Sequence, residues 1–436
     1  METLQPEILN IASHTVVNTP VVFLAGTHTG HPLSVSGVKA SVVHDDGNGR
    51  FRAFVELRAG LNTVFISDEN GKDEIELEFV PDISCTKFNT CCLVPDDYDA
   101  SLPVLHGYSI ESLNAKLSTG LKLLQAIAAE GLAAHGYTRK SFCLHFTATG
   151  EVDIDFVKVK APDKVLRNIK SESELRRLLP LTMQSRKPAI FLSTWARVEK
   201  GARKGHIGSG GNGQAFHSTW GLDTWPSSLS QVFDCAMDPT PAPRIAVDSH
   251  QSRGSIFLNH LSGLLHEIGH ACELRHIRTS GIMDSKNPRI MAGPNRKVYP
   301  FLGPPVPCPE SSAVCYHDQP PCLWGEDHAA WLSAHQYFRY DQPSPATLTT
   351  TACHEKGYVR VMSDSPLLLI TFVRDELDKG TLKARQHVTV QTGTPTTDFK
   401  VPLSKIIAGF EMQPDRIRVK SMGQNGACDE RTMPPV

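Results

Sequence analysis

The sequence predicts a mixed α/β protein, with a core of helices and strands flanked at each end by a β-rich segment. Three observations predict it. Residues 1–82 and 342–436 contain runs that alternate apolar and polar side chains at period two. Residues 83–341 hold two long stretches with apolar residues at three- and four-residue steps. A Gln342-Pro343-Ser344-Pro345 linker separates the last two parts.

In residues 1–82, Phe51, Ala53, Val55 and Leu57 alternate with Arg52, Phe54, Glu56 and Arg58. Ile75, Leu77 and Phe79 alternate with Glu74, Glu76 and Glu78. Each strand thus has one buried and one wet face. Asp46-Gly47-Asn48-Gly49 is a turn, and Asn70-Gly71 between Val64–Ser67 and Glu74–Val80 marks a hairpin. The expectation is a small antiparallel sandwich, Ig-like in shape, ending near Asp82.

In residues 83–341, Ile110, Leu113, Leu117, Leu121, Leu124 and Ala128 define one helix face, with Ser109 as N-cap. Ser141–Phe146, Asp153–Lys160 and Ala189–Thr194 read as strands. Ser255–Cys272 reads as a second helix, with Phe257, Leu261, Leu264 and Ile268 on one face. Pro300–Pro321 is a proline-rich loop, and Trp324–Phe338 a last helix. Beyond the linker, Tyr358–Met362, Leu367–Val373, His387–Gln391 and Arg416–Lys420 read as strands.

The chain has 436 residues, enough for two or three domains. At 40% apolar and 21% charged residues it can bury a core, which excludes a disordered or collagen-like chain. Lys plus Arg number 44 against 46 Asp plus Glu, a balance that excludes a general nucleic-acid binder. The longest apolar run, Pro366–Val373, is far short of the roughly 20 residues of a membrane span, so no membrane partner is expected. The start, Met-Glu-Thr-Leu-Gln-Pro-Glu, lacks a basic segment followed by an apolar one, so the expectation is a cytoplasmic protein without a signal peptide. The 11 cysteines are odd in number and scattered, unlike a secreted disulfide framework. Cys308, Cys315 and Cys322, with His317, form no CxxC pair and read as loop thiols rather than a second metal site.

One stretch carries chemistry: His266-Glu267-Ile268-Gly269-His270-Ala271-Cys272-Glu273-Leu274-Arg275-His276. His266 and His270 are four apart on a helix, so both imidazoles leave one face about one turn apart. Two nitrogens so placed can reach one Zn²⁺ at about 2.0–2.1 Å. Glu267 leaves the helix sideways, where it can reach a water at the metal without ligating it. His276 becomes a third ligand only if the helix stops and the chain turns back. Three protein ligands leave a position open, as in catalytic zinc sites. With 19 histidines in 436 residues, a chance His-Glu-x-x-His has odds on the order of a few per cent.

The pattern resembles the metzincin zinc peptidases, in which a turn containing Met follows the histidine motif. Here Gly281-Ile282-Met283-Asp284 follows, with Met291 a weaker rival. A closer resemblance is to the Metallopep family of eukaryotic zinc metallopeptidases, which has a yeast member. The residues that carry it are His266-Glu267-Ile268-Gly269-His270, Arg275-His276 and Ser280-Gly281-Ile282-Met283. Leu123-Leu124-Gln125-Ala126, Arg139-Lys140-Ser141-Phe142 and Thr224-Trp225-Pro226-Ser227-Ser228-Leu229 add to it, so that it covers residues 85–340. The resemblance implies a zincin-like (metzincin) catalytic domain in residues 83–341. It also implies zinc as cofactor, with His266, His270 and His276 as ligands and Glu267 as general base, and a peptide or protein substrate. One residue departs from the family pattern: Glu273 stands where the family has Gly. Gly ends a helix in a left-handed conformation at no steric cost, whereas Glu does so at about 1–2 kcal/mol. Asp284 is therefore kept as an alternative third ligand, with Glu273 behind it.

The expected activity is peptide-bond hydrolysis by a zinc-activated water. Glu267 takes the water's proton and passes it to the leaving amine. The alternative is a zinc-binding pseudopeptidase that acts as a protein- or glycan-binding module through its β-domains. A third reading is a structural helix without metal. Gly208-Ser209-Gly210-Gly211-Asn212-Gly213 matches a dinucleotide-binding pattern but lacks a buried strand before it and a helix after it. It reads either as a surface loop or as the edge strand of a substrate cleft. His250, His260 and Cys272 read as ordinary residues off the ligand face, and Tyr299 as an unassigned neighbour of the Met-turn.

Overall fold

The structure is a computed structural model. It describes residues 5–30, 32–81, 85–97, 109–166, 169, 171–193, 197–199, 202–204, 208–218, 221–241, 252–276, 282–283, 299–302, 323–338, 348–355, 357–378, 381–408, 417–423 and 428–433. The chain folds as a mixed α/β protein with several sheets.

The N-terminal strands are β1 (Glu7–Ile8), β2 (Thr15–Val17), β3 (Val21–Thr27), β4 (Ser34–Ser36), β5 (Ala40–Asp45), β6 (Arg50–Glu56), β7 (Gly60–Asp68) and β8 (Gly71–Phe79). They form two four-stranded sheets, ordered β1-β3-β6-β5 and β2-β8-β7-β4. Leu24, Phe51, Ala53 and Val55 from one sheet and Val64, Ile66, Ile75 and Leu77 from the other share one core. The Asn70-Gly71 hairpin closes at Asp68 opposite Gly71. Two details depart from the sequence reading. The β2–β8 pair is parallel, because β2 joins the second sheet by crossing from the first rather than through a hairpin. The outer face of the first sheet is not wet at Phe54, which packs with Val21 and Phe23 against the helical core.

The central elements are β9 (Lys87–Val94), α1 (Ile110–Ala133), β10 (Cys143–Leu144), β11 (Ile154–Lys158), α2 (Asp163–Leu166), α3 (Glu172–Leu178), α4 (Leu181–Gln184) and β12 (Ala189–Ser193). They continue with β13 (Arg197–Glu199), β14 (Ala202–Lys204), β15 (Gly208–Gly211), β16 (Gln214–Ser218), α5 (Val232–Met237), α6 (Arg253–Ala271), α7 (Tyr299–Leu302) and α8 (Glu326–Ala334). β10 and β11 both lie beside β9, followed by β12, β16 and β15. All pairs in this sheet are parallel except β15–β16, which is antiparallel, and β13 and β14 pair antiparallel apart from it. Cys92, Ile190, Leu192 and Ala215 share one core with α1 and α6, whereas Cys91, Leu93, Phe191 and Phe216 share another with the α2–α4 region. A sheet covered on both faces needs apolar residues on both, so β9 shows no alternation in the sequence.

α1 begins where the sequence places it: the Ser109 hydroxyl accepts a 3.2 Å bond from the Ser112 N–H. Lys122, on α1, donates to Glu56 at 3.0 Å and to Glu151 at 3.1 Å, and so ties the helix to the sandwich and to the β10–β11 connection. α6 starts at Arg253, capped by Ser252, whose hydroxyl accepts from the Ser255 N–H at 3.1 Å. The last helix is shorter than expected, because the Ala334–Phe338 stretch leaves helical geometry at His335.

The C-terminal elements are β17 (Thr350–Glu355), β18 (Tyr358–Asp378), β19 (Thr381–Pro402), α9 (Leu403–Ala408), β20 (Arg418–Gly423) and β21 (Cys428–Thr432). The two runs 358–362 and 367–373 are one strand, β18, whose register shifts between Met362 and Leu367 around Pro366. No helix among the described residues is long and apolar enough to cross a membrane. The cluster Cys308, Cys315, Cys322 and His317 lies outside the described residues, as do His250, Asp284 and Met291.

Gly120 on α1 faces the buried Trp225 ring so closely that a Cβ would collide with it. Gly120→Leu should therefore lower stability by about 1–3 kcal/mol through overpacking. Thermal denaturation checks this, and an unchanged midpoint would contradict the packing of α1 on Trp225.

Candidate metal centre

α6 lies under the sheet edge formed by β15 and β16 and carries His266, Glu267 and His270. Its buried face includes Phe257, Leu261, Leu264 and Ile268, the stripe read from the sequence. Contact with β15 is close because β15 is nearly all glycine. A Cβ at Gly208 would lie 2.7 Å from the Glu267 Oε1, and one at Gly210 would lie 2.7 Å from the His270 Cβ. Among the described residues the Gly-rich run is thus a strand at the end of the sheet, rather than a surface loop.

Three imidazoles meet below this edge. His266 Nε2 lies 3.0 Å from His276 Nε2, and His270 Nε2 lies 3.1 Å from the same atom. The other ring nitrogens fix the tautomers. His266 Nδ1 lies 2.7 Å from the Ile282 carbonyl and His270 Nδ1 lies 2.8 Å from the Leu274 carbonyl. A carbonyl only accepts, so both Nδ1 atoms carry the proton and both Nε2 atoms present lone pairs to the centre. Burial, followed by the charges of His266 and His276, pushes His270 well below the ordinary imidazole range, which keeps it neutral. These two lone pairs converge on His276 Nε2, and three imidazole nitrogens so gathered are a donor set for a cation. Tetrahedral zinc with bonds of about 2.0–2.1 Å sets its nitrogens about 3.3 Å apart, close to what is seen. The donor set therefore fits a zinc ion, and the carbonyl-held Nδ1–H groups supply the orienting partners such ligands need.

His276 arrives by a tight reversal at the end of α6. Glu273 has φ 64°, in the left-handed region. The Glu273 N–H bonds the His270 carbonyl at 2.9 Å and the Leu274 N–H bonds the Gly269 carbonyl at 2.9 Å. That pair of bonds is a Schellman motif, with Glu273 at the position that favours glycine. The helix stops as the family Gly would stop it, despite the side chain. Met283, fully buried, follows the turn, and a Cβ at Gly269 would lie 2.7 Å from its Sδ, so the Met packs against the ligand-bearing helix.

Glu267 is 7% exposed. Burial, then the charge of Glu172, raises its carboxyl to about 8. Glu172 itself is held by Arg176 Nε at 2.5 Å and by the Ser209 hydroxyl on β15.

The family model for Metallopep, described as "Putative peptidase family", matches residues 5–187 and 160–291. The chain belongs to the Metallopep family. The match reaches back to residue 5 and ends at residue 291, so in Metallopep terms the matched unit includes the N-terminal sheets and stops short of residue 340. The family name implies a metal, and the described His triad is where this Metallopep chain can hold one. No curated protein matches. Among solved structures, OgpA from Akkermansia muciniphila is similar. A catalytically inactive form in complex with an O-glycopeptide (glycodrosocin) substrate has a TM-score of 0.49 at 14% identity, covering 80% of this chain and 92% of that one. The wild type in P 41 21 2 has a TM-score of 0.49 at 15% identity, covering 80% and 93%.

The structure thus brings together His266, His270 and His276, with Glu267 beside them on α6. It places Asp284 outside the described residues, and Glu273 turns toward Lys420 at 2.9 Å instead of the imidazoles. His260 lies apart from the imidazole cluster and is buried, with its ring 5.4 Å from that of His217. The Ile282 and Leu274 carbonyls, Glu172 and Lys420 were not legible. Backbone partners carry no residue-type signal, and Glu172 and Lys420 come from elements distant in sequence.

In metal-free protein the Glu267 carboxyl ionises near its ordinary value when unfolded but holds its proton to about 8 when folded. Between these values the folded state binds more protons, so stability falls as pH rises. Glu267→Gln should remove that loss. Melting of chelated wild type and variant at about pH 5 and about pH 9 checks it, with the variant gaining only at the higher pH.

Proposed function

We propose that the protein is a zinc peptidase in which His266, His270 and His276 hold the metal through Nε2 and Glu267 is the general base. The observation that carries this reading is the convergence of three Nε2 atoms, two of them with the opposite nitrogen committed to a carbonyl. Bound zinc acts as a Lewis acid that makes water acidic near neutral pH and polarises a carbonyl oxygen. The chain supplies the rest. Glu267 accepts the proton of the attacking water and returns it to the leaving amine nitrogen. A cation among the imidazoles opposes the burial that raises this carboxyl and favours its basic form.

β15 supports an extended peptide as substrate. Among the described residues it pairs only with β16, which leaves its outer backbone edge to receive a strand. On this reading residues 83–341 form a zincin-like catalytic domain, with a β-sandwich over residues 1–82 before it and a β-rich domain over residues 342–436 after it. The rival reading, a zinc-binding pseudopeptidase, drew on Glu273, and the closed turn at Glu273 lends it no support.

Elemental mass spectrometry should find about one zinc per wild-type chain and a clear loss in His276→Ala. Full zinc in that variant moves the third ligand to Asp284, and no zinc in reconstituted wild type removes the enzyme reading. Glu267→Gln should keep its zinc and lose about 10²–10⁴-fold in peptide-library cleavage. Wild-type digestion by that variant excludes Glu267 as base, whereas a wild type that binds zinc and cleaves nothing favours the binding module.

A further inference from the structure

The turn that delivers His276 is gripped by the C-terminal sheet. Lys420, on β20, has a side chain only 5% exposed. Its ammonium donates to the Glu273 carbonyl at 2.6 Å, reaches the Glu273 carboxylate at 2.9 Å, and sits 4.2 Å from the centre of the Trp331 ring. Trp331, on α8, donates its indole N–H to the Cys272 carbonyl at 3.1 Å. Arg275, next to His276, pairs with Glu430 on β21, which Arg418 also holds at 2.6 Å. Three residues between His270 and His276, Cys272, Glu273 and Arg275, are thus anchored by α8, β20 and β21.

We infer that Lys420 is a positioning residue for the metal site: by binding both the carbonyl and the carboxylate of Glu273, it holds that residue in its left-handed conformation and so keeps His276 at the imidazole cluster. This deepens the zinc-peptidase reading and rests on it. Glycine at position 273 needs no such support, because it adopts φ near 64° without steric penalty. Glu273 needs an anchor, and Lys420 supplies it. One ammonium thus meets two oxygens of the same residue, the carbonyl at 2.6 Å and the carboxylate at 2.9 Å. Its local chemistry explains how a chain with Glu at this position can still close the turn.

The test is zinc affinity by competition with a chelator, with zinc alone as the probe. It uses the full chain as wild type, Lys420→Met and the double variant Glu273→Gly with Lys420→Met. Apo-protein melting and circular dichroism confirm that each variant is folded. Lys420→Met should bind zinc about 10- to 100-fold more weakly, the range for losing an outer partner of a ligand. The double variant should recover most of that affinity, since it removes the buried charge and the need for it together. A general role in docking the C-terminal sheet would not be rescued by a change at position 273. Wild-type affinity in Lys420→Met overturns the inference, as does a double variant as weak as the single one. Should Lys420→Met not fold, the double variant decides alone: folded with wild-type affinity it supports the inference, and otherwise it overturns it. Wild type without zinc overturns both the inference and the underlying reading, whereas the other failures leave that reading standing.

Discussion

The reversal at the end of α6 is the constraint on which the site depends. His266 and His270 share a helix face by periodicity alone, but no straight helix can bring a residue six positions further on back to the same point. The left-handed residue at 273 does so, and its cost falls on a side chain that glycine would not carry. Everything packed around the reversal serves to keep it closed: the Leu274 carbonyl orients His270, the Ile282 carbonyl orients His266, and Met283 fills the space against Gly269.

A second constraint is the absence of side chains along β15. Gly208 and Gly210 let the strand backbone lie against Glu267 and His270 at distances no Cβ would permit. The same closeness helps bury Glu267, so the packing of the strand against α6 also raises the carboxyl beneath it. Fold and chemistry are joined there by one geometric fact.

Much of this was legible because it is local. α1 and its Ser109 cap, the β7–β8 hairpin and the α6 stripe all follow from spacing within a few turns. So did the histidine motif, because its three imidazoles fall within eleven positions of chain. What escaped was non-local or two-sided. β9 is buried on both faces and shows no alternation, and β18 reads as two strands because Pro366 interrupts it. The orienting carbonyls belong to every residue type equally. Glu273 was legible as a departure, but its counterpart Lys420 lies 147 residues away and carries no mark of its own.

That distance in sequence has a consequence in time. The family match ends at residue 291, yet the turn bearing His276 is anchored from β20 and β21. At a synthesis rate of about 5–20 residues per second, Lys420 follows Glu273 by roughly 7–30 s. A nascent chain in that interval holds all three histidines without the sheet that fixes the last of them. The geometry thereby couples closure of the turn that carries His276 to the synthesis of β20 and β21, about 150 residues later in the chain.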